Sequence, residues 1–64
     1  MTEVEKAERF VNRGRDLVIE QRQKVCLLRA AGNNTNDAEQ KLRLFEDSLA
    51  IFEDHLRWLQ TAHA

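Results

Sequence analysis

One cluster of turn-forming residues, Gly32-Asn33-Asn34-Thr35-Asn36-Asp37, interrupts a chain that contains no proline. Nothing on either side of it breaks a helix, and the two stretches it separates are almost equal in length. The pattern therefore predicts two helices joined by a short turn, over about residues 3–31 and 36–61 with the turn at about 32–35. Thr2, followed three residues later by Glu5, has the form of a capping box, in which hydroxyl and carboxylate satisfy amide groups that the first turn leaves without partners. Gly32 suits the left-handed position just past a helix end, where a side chain would clash. Thr35 or Asn36 is expected to cap the second helix, and Asp37 and Glu39 place negative charge at the positive end of its dipole. A short turn makes the helices antiparallel neighbours, so the expected fold is all-α, a two-helix hairpin.

Both halves carry a heptad repeat. In the first, Val4, Val11, Val18 and Val25 fall at a, and Ala7, Gly14, Gln21 and Leu28 at d; in the second, Leu42, Leu49 and Leu56 are a, and Ala38, Phe45, Phe52 and Leu59 are d. Alternating steps of three and four residues are the knobs-into-holes pattern of left-handed helix packing. If the chain folds back at Asn33-Asn34, facing residues have numbers that sum to roughly 67 in an antiparallel pair. Val18 then meets Leu49, Val25 meets Leu42, and Gly14 falls opposite Phe52, whose ring would fill the space left by the missing side chain. Gln21 falls beside Phe45 as the one polar residue of the seam. It either fixes register at some cost in stability or sits exposed at the edge.

The two flanks of this seam differ. On the e side, Arg29 faces Glu39, Arg22 faces Glu46, Arg15 faces Glu53 and Glu8 lies by Gln60, a solvated edge whose pairs are each worth only about 0 to 1 kcal/mol. The charge division agrees: residues 1–31 hold seven basic and five acidic side chains, and residues 32–64 hold three and six. The other flank is apolar. Phe10 and Leu17 occupy g of the first helix, and Leu44, Ile51 and Trp58 recur at c of the second, with Leu27 nearby and Lys41, Ser48, His55 and Ala62 between that stripe and the seam. So wide an apolar arc is more than one partner helix can bury, and a lone hairpin would expose a patch larger than monomers tolerate. Identical subunits favour twofold dimers. The sequence thus predicts a homodimeric four-helix bundle packed through Phe10, Leu17, Leu44, Ser48, Ile51, His55 and Trp58. Ile19 and Cys26 lie on another side of the first helix.

Size supports the need for a partner. A chain of 64 residues buries a modest core and usually needs a disulfide, a metal or a second subunit. Cys26 is the only cysteine, so no intrachain disulfide forms. Structural zinc takes about four ligands, and Cys26, His55 and His63 are scattered without paired spacing. The net charge of −1 gives no electrostatic case for nucleic acid or an anionic membrane. No apolar run approaches a membrane span, and Thr2-Glu3-Val4-Glu5-Lys6 is unlike a signal peptide. These features predict a soluble, cytoplasmic protein.

Candidate chemistry is sparse. His55 follows Glu53 and Asp54, but those carboxylates point elsewhere around the helix and no Glu-x-x-His motif is present, so an interfacial histidine is the simpler reading than a metal ligand or base. His63 is expected in a frayed end. Cys26 has no local histidine or second cysteine to activate it. Glu46, Asp47, Glu53 and Asp54 read as a solvated acidic stripe. Neither a glycine-rich phosphate loop nor a Ser/His/Asp order occurs, and a hairpin offers no enclosed pocket; no catalytic, cofactor or metal residue is assigned, and an enzyme is not expected. Arg9, Arg13, Arg15, Arg22 and Arg29 with Lys6 and Lys24 could touch phosphates, yet Glu5, Glu8, Asp16 and Glu20 are interleaved among them, and a solvated face is the simpler account.

In length and architecture, though not in sequence pattern, the chain is similar to the Rop family of plasmid copy-number regulators, whose hairpins dimerise into four-helix bundles and bind paired RNA loops. In sequence, residues 14–59 resemble a loose group of short bacterial proteins, many of them alphaproteobacterial, through Gly14, Leu17-Val18, Gln21, Val25, Leu28, Gly32-x-x-Thr35-x-x-Ala38-Glu39, Leu42, Phe45, Ser48-Leu49 and His55-Leu56. Asn33-Asn34 departs from that pattern. The group implies a helical hairpin and brings no activity to carry over. The expected function is that of a small interaction protein, a homodimer that binds another macromolecule; the alternatives are a Rop-like RNA-binding regulator and a subunit paired with a different protein.

Overall fold

The computed structural model describes residues 1–62, which form two helices, α1 (Glu3–Ala30) and α2 (Asn36–Ala62), packed against each other as an antiparallel hairpin. The result is a rod of 49 × 17 × 12 Å. His63, expected in the frayed end, lies outside the described residues. No helix among the described residues is long and apolar enough to cross a membrane.

Three of the four helix ends are satisfied by residues next to them. The Thr2 hydroxyl accepts the Glu5 amide at 3.1 Å while the Glu5 carboxylate accepts the Thr2 amide at 3.2 Å, completing the expected capping box. At the other end of α1, the Gly32 amide donates to the Arg29 carbonyl and the Asn33 amide to the Leu28 carbonyl. That pair of bonds is a Schellman motif, and it requires the positive φ of 75° that Gly32 adopts. The start of α2 differs from expectation. Thr35 takes the cap position with its backbone, its carbonyl accepting the Glu39 amide, but the capping side chain is that of Asn34, whose Oδ1 accepts the Asn36 amide at 2.8 Å. An asparagine side chain readily bonds the backbone two residues on, which gives Asn33-Asn34 its place in the turn.

Between the helices, α1 is covered and α2 is not. Ala7, Val11, Val18, Gln21 and Val25 of α1 are buried, Val11 to 2% exposure, whereas in α2 only Leu59 is buried and Leu42, Phe45, Leu49 and Leu56 are half-buried. Small side chains on one helix lie beneath large ones on the other, and the outer sides of the large ones stay bare. All three expected Arg–Glu pairs form along the e flank: Arg15–Glu53 at 3.3 Å, Arg22–Glu46 at 2.9 Å, and Arg29–Glu39. Glu8 and Gln60 make no hydrogen bond to each other.

The seam itself is offset from the register expected at the sequence level. A Cβ on Gly14 would meet Leu49, with Cδ1 at 3.1 Å, and not Phe52, whose ring stacks instead on Phe10. Side chains on a helix lean toward its N-terminus, and on antiparallel helices they lean in opposite directions. Long partners such as Arg15 and Glu53 therefore meet several residues away from the backbone-level neighbours Gly14 and Leu49. An antiparallel heptad seam also sets an a position against a d position, as Leu49 sits against Gly14. Gln21 is resolved in favour of a fixed position: it is 6% exposed and its Nε2 donates to the Ala38 carbonyl at 2.9 Å.

Two stability measurements follow from this packing. Gly14→Ala gains about 1 kcal/mol of helix propensity and presses on Leu49 Cδ1, which borders a small void of about 90 Å³ into which it can turn; the denaturation midpoint is expected to stay at or above the wild-type value. Gly14→Val adds more bulk than that void relieves and is expected to cost about 1–3 kcal/mol. Gln21→Ala is expected to cost about 1–2 kcal/mol through its lost hydrogen bond and packing, read in the same urea titrations; an unchanged midpoint would show that the Ala38 contact contributes nothing.

Candidate association surface

The g flank of the hairpin is where apolar side chains collect without cover. Phe10 is held there by α1 and is 52% exposed; Leu44, Ile51 and Trp58 follow one another at heptad spacing along α2, with exposures of 62, 68 and 64%. Leu17 is half-buried, and Ser48 and His55 are exposed. All seven residues predicted for a dimer interface therefore lie accessible, wholly or in part, on the surface. The sequence reading missed Phe52, assigned to the seam; it is 37% exposed and belongs to both the seam and this flank.

Aromatic contacts organise the surface. The Phe10 and Phe52 rings stack across the two helices, centroids 5.5 Å apart and planes 14° from parallel. His55 stacks on Trp58 one helical turn away, at 6.2 Å. Near the turn, the Lys41 ammonium lies 5.6 Å from the centre of the Phe45 ring, a placement that favours a cation over the ring face.

Two hollows flank the Phe10–Phe52 pair. The larger, at the open end of the hairpin, has a volume of about 540 Å³; Ala7, Phe10, Phe52, Trp58 and Leu59 form its apolar wall, with Glu3, Lys6 and His55 at its polar margin. The smaller lies toward the turn between Gly14, Leu17, Phe45, Ser48 and Leu49. Phe10 and Phe52 border both, so the hollows lie end to end along one flank of the rod, a shallow apolar trough crossed by the stacked rings. Such a trough can receive the ridges of another helix. On the opposite, e, flank the Arg–Glu pairs occupy the equivalent position, and the hollow there, between Val11, Arg15, Glu53 and Leu56, is bordered by charge.

Elsewhere, the described residues present little chemistry. Cys26 is an exposed free thiol beside Leu27 on the outer side of α1. Among the described residues no three His, Cys, Asp or Glu side chains gather into a set that could hold a metal ion. Comparison of the chain with protein-family models, with curated proteins and with solved structures returns no match.

The aromatic pair can be tested alone. A double-mutant cycle of Phe10→Ala and Phe52→Ala is expected to show a coupling of about 0.5–1.5 kcal/mol in the stability of the chain; additive single effects would mean that the rings do not stack in solution.

Proposed function

We propose that this chain is a self-associating interaction protein, a homodimer whose hairpins pack through the g flank into a four-helix bundle that serves to bind or brace another macromolecule. The observation that supports it is the uncovered apolar trough, which both helices line. The rod is also more exposed than a compact chain of its mass. The hairpin exposes 5077 Å², whereas a folded monomer of its 7.5 kDa mass is expected to expose about 4,200 Å². The excess reflects an elongated two-helix rod that leaves much of its apolar surface uncovered.

The RNA-binding alternative draws less support from the side chains. Arg15, Arg22 and Arg29 are engaged by glutamates of α2, so phosphate contacts would fall to Lys6, Arg9, Arg13 and Lys24, among interleaved acids. A pairing with a different protein would use the same trough and differs in the mass of the isolated chain.

Light scattering at micromolar concentration is expected to give twice the 7.5 kDa of one chain. Ile51→Glu, which puts a charge in the middle of the exposed apolar stripe of α2 without touching the seam, is expected to give the mass of one chain while keeping helical circular dichroism. A wild-type monomer would turn the proposal toward a different protein as occupant. An Ile51→Glu variant of undiminished dimer mass would remove this flank from the interface.

A further inference from the structure

We infer that the trough receives a single helix of another protein, amphipathic and acidic along one edge, which takes the place of the second copy when it is present. Such a helix competes for the same flank, so its binding does not depend on the dimer proposed above.

The net charge of −1 averages two unlike faces. On the g flank and its margins the basic residues are Lys6, Arg9, Arg13 and Lys24 of α1, with Lys41, Arg43 and Arg57 of α2; the acidic ones are Glu3, Asp16, Glu20 and Asp37. Seven against four leave three positive charges in excess. The opposite face sets Arg15, Arg22 and Arg29 against the other seven of the chain's eleven carboxylates, four negative charges in excess. Arg57 pairs with Asp54 at the border between the two faces.

Pairing differs between the faces as well. Each arginine of the e flank has a glutamate of α2 opposite it. On the g flank, the charged residues that line the two hollows are Lys6 and Arg13, which are basic, and Glu3, which is acidic. Arg9 stands behind them on α1, and none of the three basic residues forms an ion pair among the described residues. The opposite bank, on α2, is apolar, with Ile51 and Trp58 exposed along it. The trough therefore has an aromatic middle, one apolar bank and one cationic bank without counter-charges. A ligand that satisfies both banks carries an apolar face with carboxylates on one side of it. Lys6 and Arg13 are one heptad apart, so acidic residues repeating every seven positions along a docked helix meet both. From Glu3 to Leu17, which mark the ends of the paired hollows on α1, the distance is about 21 Å at 1.5 Å per residue, some four turns of such a helix. A second copy brings the same positive excess whichever way it lies. Opposite charge across an interface selects the partner that has it, and like charge works against the one that does not.

Trp58 reports on this flank directly, because it is the only tryptophan and the chain has no tyrosine. The probes are two synthetic helical peptides without aromatic residues, alike in a heptad face of leucines, one with glutamates along one edge and its twin with lysines there. In low salt the glutamate peptide is expected to shift the Trp58 emission and to bind about tenfold more tightly than the twin, an advantage that shrinks as added salt screens the charges. By light scattering its complex is expected to hold one chain and one peptide. The double variant Lys6→Glu/Arg13→Glu, in which both positions are exposed and unpaired, is expected to keep its helical circular dichroism and to prefer the lysine twin. Equal binding of the two peptides, binding of neither, or a preference that the double reversal leaves unchanged would overturn the inference. So would a glutamate peptide bound to a chain that keeps its dimer mass, since the peptide would then sit elsewhere. A wild-type monomer that prefers the glutamate peptide would overturn the dimer and leave this site standing; a dimer that binds neither peptide would do the reverse.

Discussion

A single seam between two helices is all the packing this hairpin has, and its asymmetry shapes everything else. α1 contributes small residues, valine, alanine and glycine, which disappear under their neighbours; α2 contributes leucine and phenylalanine, which do the covering and are left half bare. Leu49 illustrates the arrangement: it lies so close over Gly14 that a single added carbon would touch it. Close approach allows the helices to exclude water along the seam face of α1. It also means that the apolar surface of α2 is only partly removed from water, and removal from water is the main source of favourable free energy in a small fold.

Because the seam is so thin, other contacts must not work against it. Three of the helix ends place no demand on it: a capping box, a Schellman turn and an Asn34 cap satisfy their amides and carbonyls with residues close by in sequence. The one polar side chain in the seam, Gln21, is bonded to a backbone carbonyl of the opposite helix, so it adds no unsatisfied group. Sliding one helix against the other would break that bond and mismatch the row of Arg–Glu pairs. Individually weak on the surface, those pairs matter here chiefly as three votes for one register.

These differences in range explain which features the sequence disclosed. Thr2, Glu5 and Gly32 act within a few residues of themselves, and their roles were legible from spacing alone. The Arg–Glu row was legible because charge pattern and heptad period coincide. Gly14 was misassigned to Phe52 because the ion pairs and the backbone contacts of antiparallel helices do not share one numbering offset, and only the path of each side chain separates them. Asn34 was overlooked as a cap since it and its neighbours Thr35 and Asn36 all have the right chemistry. The g flank was visible as a stripe of large apolar residues. That Phe52 would belong to both the seam and this flank, with a hollow on either side of its stack with Phe10, depends on rotamers that no repeat encodes.

The position of the turn has one more consequence. Contacts near Gly32 close short loops, whereas those joining Ala7 and Val11 to the end of α2 close almost the whole chain, and loop entropy rises with that separation. The hairpin should therefore zip from the turn outward and come apart in the reverse order, with amide protons at the open end exchanging first. The larger apolar hollow, around Phe10 and Trp58, sits at that end, so the surface most in need of cover is also the part of the rod that breathes most.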